Sequence, residues 1–107
     1  MNYTPKEVRE KRDNGDNFLL LDVRTPIEHE MAQLEGSTLI PLQSLPDSLG
    51  QLEDWRDKEV VCMCHHGMRS AQAQQILLDA GFSKVINMTG GIDAYSLDVD
   101  PNVPRYQ

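Results

Sequence analysis

With 107 residues and a formal net charge of -7, from 17 Asp and Glu against 10 Lys and Arg, the chain has room for one hydrophobic core under an acidic surface. That surface argues against nucleic acid or an anionic membrane as main partner, because both need positive charge; a small anion at a locally positive site remains compatible. No apolar run reaches the roughly 18 residues that span a bilayer, and the opening "MNYTPKEVREKRDNG" lacks the apolar stretch of a secretory signal, so the expected address is cytoplasmic.

In chain order, "TPKE" at 4 to 7 reads as a helix start, with Thr4 as N-cap, Pro5 at the first helical position and Glu7 closing a capping box. "DNGDN" ends that helix. "FLLLDV", residues 18 to 23, is the continuous apolar run expected of a strand covered on both faces. "TPIE" at 25 to 28 repeats the capping box and predicts a short helix directly after Val23.

"STLIPL" predicts a short strand stopped by Pro41, and "SLPDSLGQLEDW" a set of short helical turns. "EVVCM", 59 to 63, is a second buried strand. "SAQAQQILLDAG", 70 to 81, predicts a helix with an apolar face at Ala73, Ile76, Leu77 and Ala80 and Gly81 as its stop. "KVINM" follows as a strand, "TGGIDAYSL" as a turn into a last helix, and "DVDPNVPRYQ", with two prolines, as an extended tail over the surface. Strands alternating with helices, with no repeat or linker between them, predict one α/β domain over residues 1–107 with a mostly parallel sheet.

In such sheets ligands bind beyond the carboxyl ends of the strands. "CMCHHGMRS", 62 to 70, lies there, between a strand and a helix. If the loop closes over Cys64, backbone N–H groups of residues 65 to 70 and the positive end of the following helix face its sulfur and favour the thiolate. Gly67 supplies the freedom such a ring needs, and Arg69 adds a permanent positive charge. Between Glu59 and Asp79 no acidic residue occurs, which predicts a positive window around a nucleophilic Cys64.

Cys62, between Val61 and Met63, reads as a core residue. In an extended strand it stands about 7 Å from Cys64, too far for a disulfide, so both are expected as thiols in a reducing compartment. Metal ligation by Cys62, Cys64, His65 and His66 is disfavoured, because the four are too closely spaced to converge tetrahedrally and no second pair exists elsewhere. No C-x-x-C redox motif is present. His29, in the acidic "IEHEM", reads as a surface residue.

Together "LLDVRTPIEHE", "EGSTLIPL", "VVCMCHHGMRS", "GFSKVINMTGGIDAYS" and "DVDPNVPRY" resemble the rhodanese-like, single-domain sulfurtransferase family over nearly the whole chain. The resemblance implies a central, mostly parallel five-stranded sheet flanked by helices. It also implies a catalytic Cys64 that takes a sulfane sulfur as a persulfide, cradled by the loop backbone of His65, His66, Gly67, Met68, Arg69 and Ser70. His65, His66 and Met68 are expected at the mouth. Arg69 either attracts an anionic donor such as thiosulfate or braces the loop, with the first reading preferred. Asp22 and Arg24 match a family signature and are expected as a structural salt bridge.

The implied partners are a small sulfur donor and acceptor, or a protein in either role, with no cofactor, no metal and a monomeric chain. Two departures from the family pattern occur: Ala32, Gln33, Leu34, Glu35 and Gly36 replace a common Gly-His-Ile-Pro-Gly, and Tyr95 stands where many members have tryptophan. The alternatives are a cysteine-dependent phosphatase or arsenate reductase of the same fold, whose C-x(5)-R loop is one residue longer than the C-x(4)-R found here, and a non-enzymatic persulfide-carrier or binding module.

Overall fold

In the computed structural model, which describes residues 1–107, Thr4 and Thr25 each accept the backbone N–H of the glutamate three positions on. Each glutamate carboxylate accepts the threonine N–H in return, so both predicted capping boxes form. They open α1 (Pro5–Asp13), which follows a two-residue β1 (Asn2–Tyr3), and α2 (Pro26–Met31), which follows β2 (Leu19–Asp22). The chain continues through β3 (Thr38–Leu39), two 3-10 segments (Leu42–Asp47 and Leu49–Trp55), β4 (Glu59–Met63), α3 (Met68–Asp79), β5 (Lys84–Met88) and α4 (Gly91–Asp98).

The five strands form one sheet in the order β1-β5-β4-β2-β3, and every neighbouring pair is parallel. The mostly parallel sheet expected from the alternation of elements is therefore wholly parallel. β2 and β4 are buried along their entire length, which explains why they read as unbroken apolar runs.

Alternation along the strands sorts their side chains onto two faces. Leu19, Leu21, Val60, Cys62 and Cys64 pack with Ala73 and Leu77 of α3 and with Leu45 and Leu52 of the 3-10 segments. Leu20, Val61, Met63, Ile86 and Met88 pack with Val8 of α1 and with Ile92 and Tyr95 of α4. Tyr95 is buried in that second cluster, filling the position where many members carry tryptophan.

At the amino end of β4, the buried Glu59 carboxylate meets Lys11 at 2.8 Å, Lys84 at 3.0 Å and the Tyr3 hydroxyl at 2.8 Å. This cluster ties β1, α1 and β5 to the central strand, at the opposite end of β4 from Cys64. No helix is long and apolar enough to cross a membrane.

Three elements depart from expectation. α3 begins at Met68, two residues before the predicted start, because Gly67 turns the chain at φ 103° and releases it straight into the helix. β1 escaped prediction because two residues carry no periodicity. The tail is not simply laid over the surface: Val103 is buried, its carbonyl accepts the Ser96 hydroxyl at 2.6 Å, and Tyr106 reaches the carboxyl end of the sheet.

Candidate active site

β2, β4 and β5 lie side by side, so the loops leaving their carboxyl ends converge. Cys64 is the first residue after β4 and is 1% exposed. The backbone N–H groups of Gly67 and Ser70 donate to its Sγ at 3.0 and 3.3 Å, and the Ser70 hydroxyl lies 3.3 Å away. Ser70 sits in the first turn of α3, where the helix N–H groups have no partners within the helix.

The loop's carbonyls are turned elsewhere. Those of Cys64 and His65 accept the N–H groups of Ile92 and Asp93, in the first turn of α4, at 2.8 and 3.1 Å. With its carbonyls spent on α4, the loop presents N–H groups to the sulfur side. This crossing demands glycine at 91: its φ is 64°, and an added Cβ would overlap both carbonyls. Gly91→Ala is therefore expected to cost about 2 kcal/mol or more from the left-handed backbone and the overlap together, read as a lowered denaturation midpoint.

Beneath the loop, the Ser70 hydroxyl donates to the Asn87 side-chain carbonyl, and the Asn87 amide donates to Gly67 O at 3.1 Å. Asn87 comes from β5 and is buried; the sequence signal for it is an amide among the apolar residues Val85, Ile86 and Met88.

Above the loop, both Nη atoms of Arg69 donate to the Glu28 carboxylate, at 2.6 and 2.8 Å. The Tyr106 hydroxyl donates to the same carboxylate at 2.7 Å and accepts from Arg24 at 3.0 Å. The Tyr106 ring stacks on His65, with centroids 4.0 Å apart and planes 12° off parallel, and His66 lies against the other side of His65 at 3.9 Å. Chiefly through its bonds to Arg69, Glu28 is held well below the usual carboxylate range. Burial and the adjacent His66 lower His65, which favours a neutral ring. Burial, with the hydrogen bond to Glu28, raises the Tyr106 hydroxyl to about 12.

Asp22 and Arg24 form the expected salt bridge, fully buried, with Nη2 to Oδ2 at 2.6 Å and Nε to Oδ1 at 2.8 Å. His29 is not a free surface residue: its Nδ1 lies 2.8 Å from Asp22 Oδ2, with the side chain only 21% exposed. The helical turn from Asp22 past Arg24 swings His29 back over the pair, which the charges around it in sequence do not reveal.

Of the sequence-predicted residues, Cys64, Gly67 and Ser70 meet at the sulfur. Cys64, His65, His66, Met68 and Arg69 line a cavity of about 290 Å³. Met68 stands 78% exposed at its rim. Arg69 also forms the wall shared with a second cavity, of about 320 Å³, bounded by Val23, Thr25, Pro41 and Gln43. The predicted positive window is not reproduced, because α2 brings Glu28 onto Arg69 and α4 brings Asp93 to 4.0 Å from His66. Glu28 and Tyr106 lie in family-like stretches of the sequence, but local spacing marks Glu28 as a capping residue and gives neither residue a place at the cysteine loop.

Cys62 faces the core, and burial pushes its thiol up to about 12. Both cysteines are free.

Residues 4–98 match the family model of the rhodanese-like domain. The chain belongs to the rhodanese-like domain family. A rhodanese-like domain protein from Staphylococcus aureus has the same fold, with a TM-score of 0.83 and 26% identity over the full length of both chains. A sulfurtransferase of Allochromatium vinosum is 32% identical over 91 residues, covering 85% of this chain and 83% of that protein. The probable adenylyltransferase/sulfurtransferase MoeZ of Mycobacterium tuberculosis is 34% identical over 103 residues, which are 96% of this rhodanese-like chain and 26% of that protein. The chain thus spans about a quarter of that relative's length.

Proposed function

We propose that this rhodanese-like chain, acting as one domain over residues 1–107, is a sulfurtransferase whose nucleophile is Cys64. The Cys64 thiolate attacks the outer sulfur of a sulfane donor; with thiosulfate the S–S bond breaks and its electron pair leaves with sulfite. The resulting Cys64 persulfide gives its outer sulfur to an acceptor: cyanide takes it as thiocyanate, and the thiolate returns. The observation that carries this reading is the pair of N–H bonds from Gly67 and Ser70 to the Cys64 sulfur at the floor of the cavity.

Further support lies in the amides of His65, His66, Met68 and Arg69, which donate to no protein acceptor and are free to meet an anionic outer sulfur. The Allochromatium relative is a sulfurtransferase and the Mycobacterium relative a probable adenylyltransferase/sulfurtransferase, in agreement with sulfur transfer. Arg69 speaks against the phosphatase alternative, since both its Nη atoms are engaged by Glu28 rather than free for a phosphate. In vivo, the donor is a small-molecule or protein persulfide, which leaves as the thiol, and the acceptor is a small thiol or a protein, met in a reducing cytoplasm where Cys62 and Cys64 stay as thiols.

The test is direct. Treated with thiosulfate, the protein is expected to gain the mass of one sulfur on the peptide holding Cys64, and cyanide is expected to remove it with release of thiocyanate. An unmodified Cys64 with no thiocyanate overturns the proposal, and hydrolysis of an aryl phosphate in its place restores the phosphatase.

A further inference from the structure

We propose that Glu28, held in place by Tyr106, is a specificity-determining residue that cancels Arg69 at the cavity mouth and so selects organic, singly charged sulfane donors over inorganic dianions. The inference rests on the sulfur-transfer reading and names its substrate class.

The argument is a count of charge around one cavity. Among its lining residues only Arg69 carries a permanent positive charge. That charge is matched by Glu28 through two parallel N–H bonds, the geometry in which guanidinium and carboxylate pair most strongly. Glu28 is only 15% exposed and is fixed from three directions: Thr25 N–H at its capping oxygen, Tyr106 on Oε2, and Arg24 behind Tyr106. Arg105, the cation beyond His66, is paired with Asp93 at 2.9 Å, so it contributes no spare positive charge either.

A dianion entering this cavity must either displace Glu28 from Arg69 or sit beside a carboxylate. A donor with one negative charge meets less of that repulsion. The exposed Met68 side chain at the rim offers an apolar contact to an organic substituent, which an inorganic ion cannot use.

The chemistry is the same for both donor types, which makes the comparison clean. The Cys64 thiolate attacks the outer sulfur, the S–S bond breaks, and the electron pair leaves as sulfite from thiosulfate or as methanesulfinate from methanethiosulfonate. Only the donor's charge and its methyl group differ at the mouth.

Glu28→Gln keeps the shape and a capping oxygen but replaces the second acceptor with an amide donor, so the fork on Arg69 is lost. The ratio of kcat/KM for thiosulfate to kcat/KM for methanethiosulfonate is expected to rise about tenfold in this variant, and the gain to shrink as ionic strength rises. Inhibition by sulfate, an unreactive dianion, is expected to tighten in parallel. Tyr106→Phe, which keeps the ring on His65 but removes the hydroxyl on Glu28, is expected to move the ratio the same way by a smaller factor, and it decides the matter if Glu28→Gln does not fold.

A purely structural Glu28 predicts a different pattern. Both donors would then slow together, with the ratio and the sulfate inhibition unchanged, and that result overturns the inference while leaving sulfur transfer standing. Failure of the wild type to form a Cys64 persulfide from either donor removes both.

Discussion

Cys64→Ser is expected to abolish thiocyanate formation, a loss of about 10³-fold or more, while leaving the fold intact. The hydroxyl of serine is a far weaker nucleophile than a thiolate at neutral pH and forms no S–S bond, so no persulfide can be held. Its oxygen can still accept the N–H groups of Gly67 and Ser70 that now donate to Sγ at 3.0 and 3.3 Å. Stability is therefore expected to stay within about 1 kcal/mol of the wild type by chemical denaturation.

The companion variant is Cys62→Ala, chosen over serine because a hydroxyl in that apolar position would be buried without a partner. Cys62 is 0% exposed, points into the core and is held as the neutral thiol. The variant is expected to lose about 1 kcal/mol of stability and to keep its thiocyanate production. Loss of activity there, or activity surviving in Cys64→Ser, would show that the sulfur is carried by a different thiol.

Arg24→Met is expected to cost about 3–5 kcal/mol, because it strands a buried carboxylate. Arg24 and Asp22 are both 0% exposed. Arg24 also donates to the carbonyls of Glu28 and Ala32 and to the Tyr106 hydroxyl, so one substitution leaves the α2 connection and the tail without their shared donor. Asp22 would keep only His29 and the backbone N–H of residue 24. Denaturation midpoints should then recover in part when Asp22→Asn is added, since the double variant has no buried charge left. A single variant as stable as the wild type, or a double variant worse than the sum of its parts, would place the role of Arg24 elsewhere.

These predictions differ in how much of their basis was visible before the chain folded. Apart from the two-residue β1, the order of strands and helices was legible, because each signal is local. Thr4 reaches Glu7 and Thr25 reaches Glu28 across three residues, and the buried runs of β2 and β4 betray themselves by composition. The cysteine loop was equally local: from the sulfur to the two N–H groups that bind it, the chain travels three and six residues. A strand end, a glycine and a helix start suffice to predict that closure.

What surrounds the loop obeyed no such rule. Glu28 looked like a helix cap, and it is one, yet 41 positions separate it from Arg69; Tyr106 meets Glu28 across 78. Asn87 and Gly91 were ordinary members of a strand and a turn until β5 was laid beside β4 and α4 was aimed at the loop's carbonyls. The local charge count around Cys64 was correct and still misleading, because a parallel sheet brings the carboxyl ends of distant strands together and, with them, charges the local window does not contain. Sequence determined the nucleophile's cradle, since that is a matter of adjacent backbone. Only the packing of β2, β4, β5 and the tail decided whether Arg69 faces a substrate or a carboxylate.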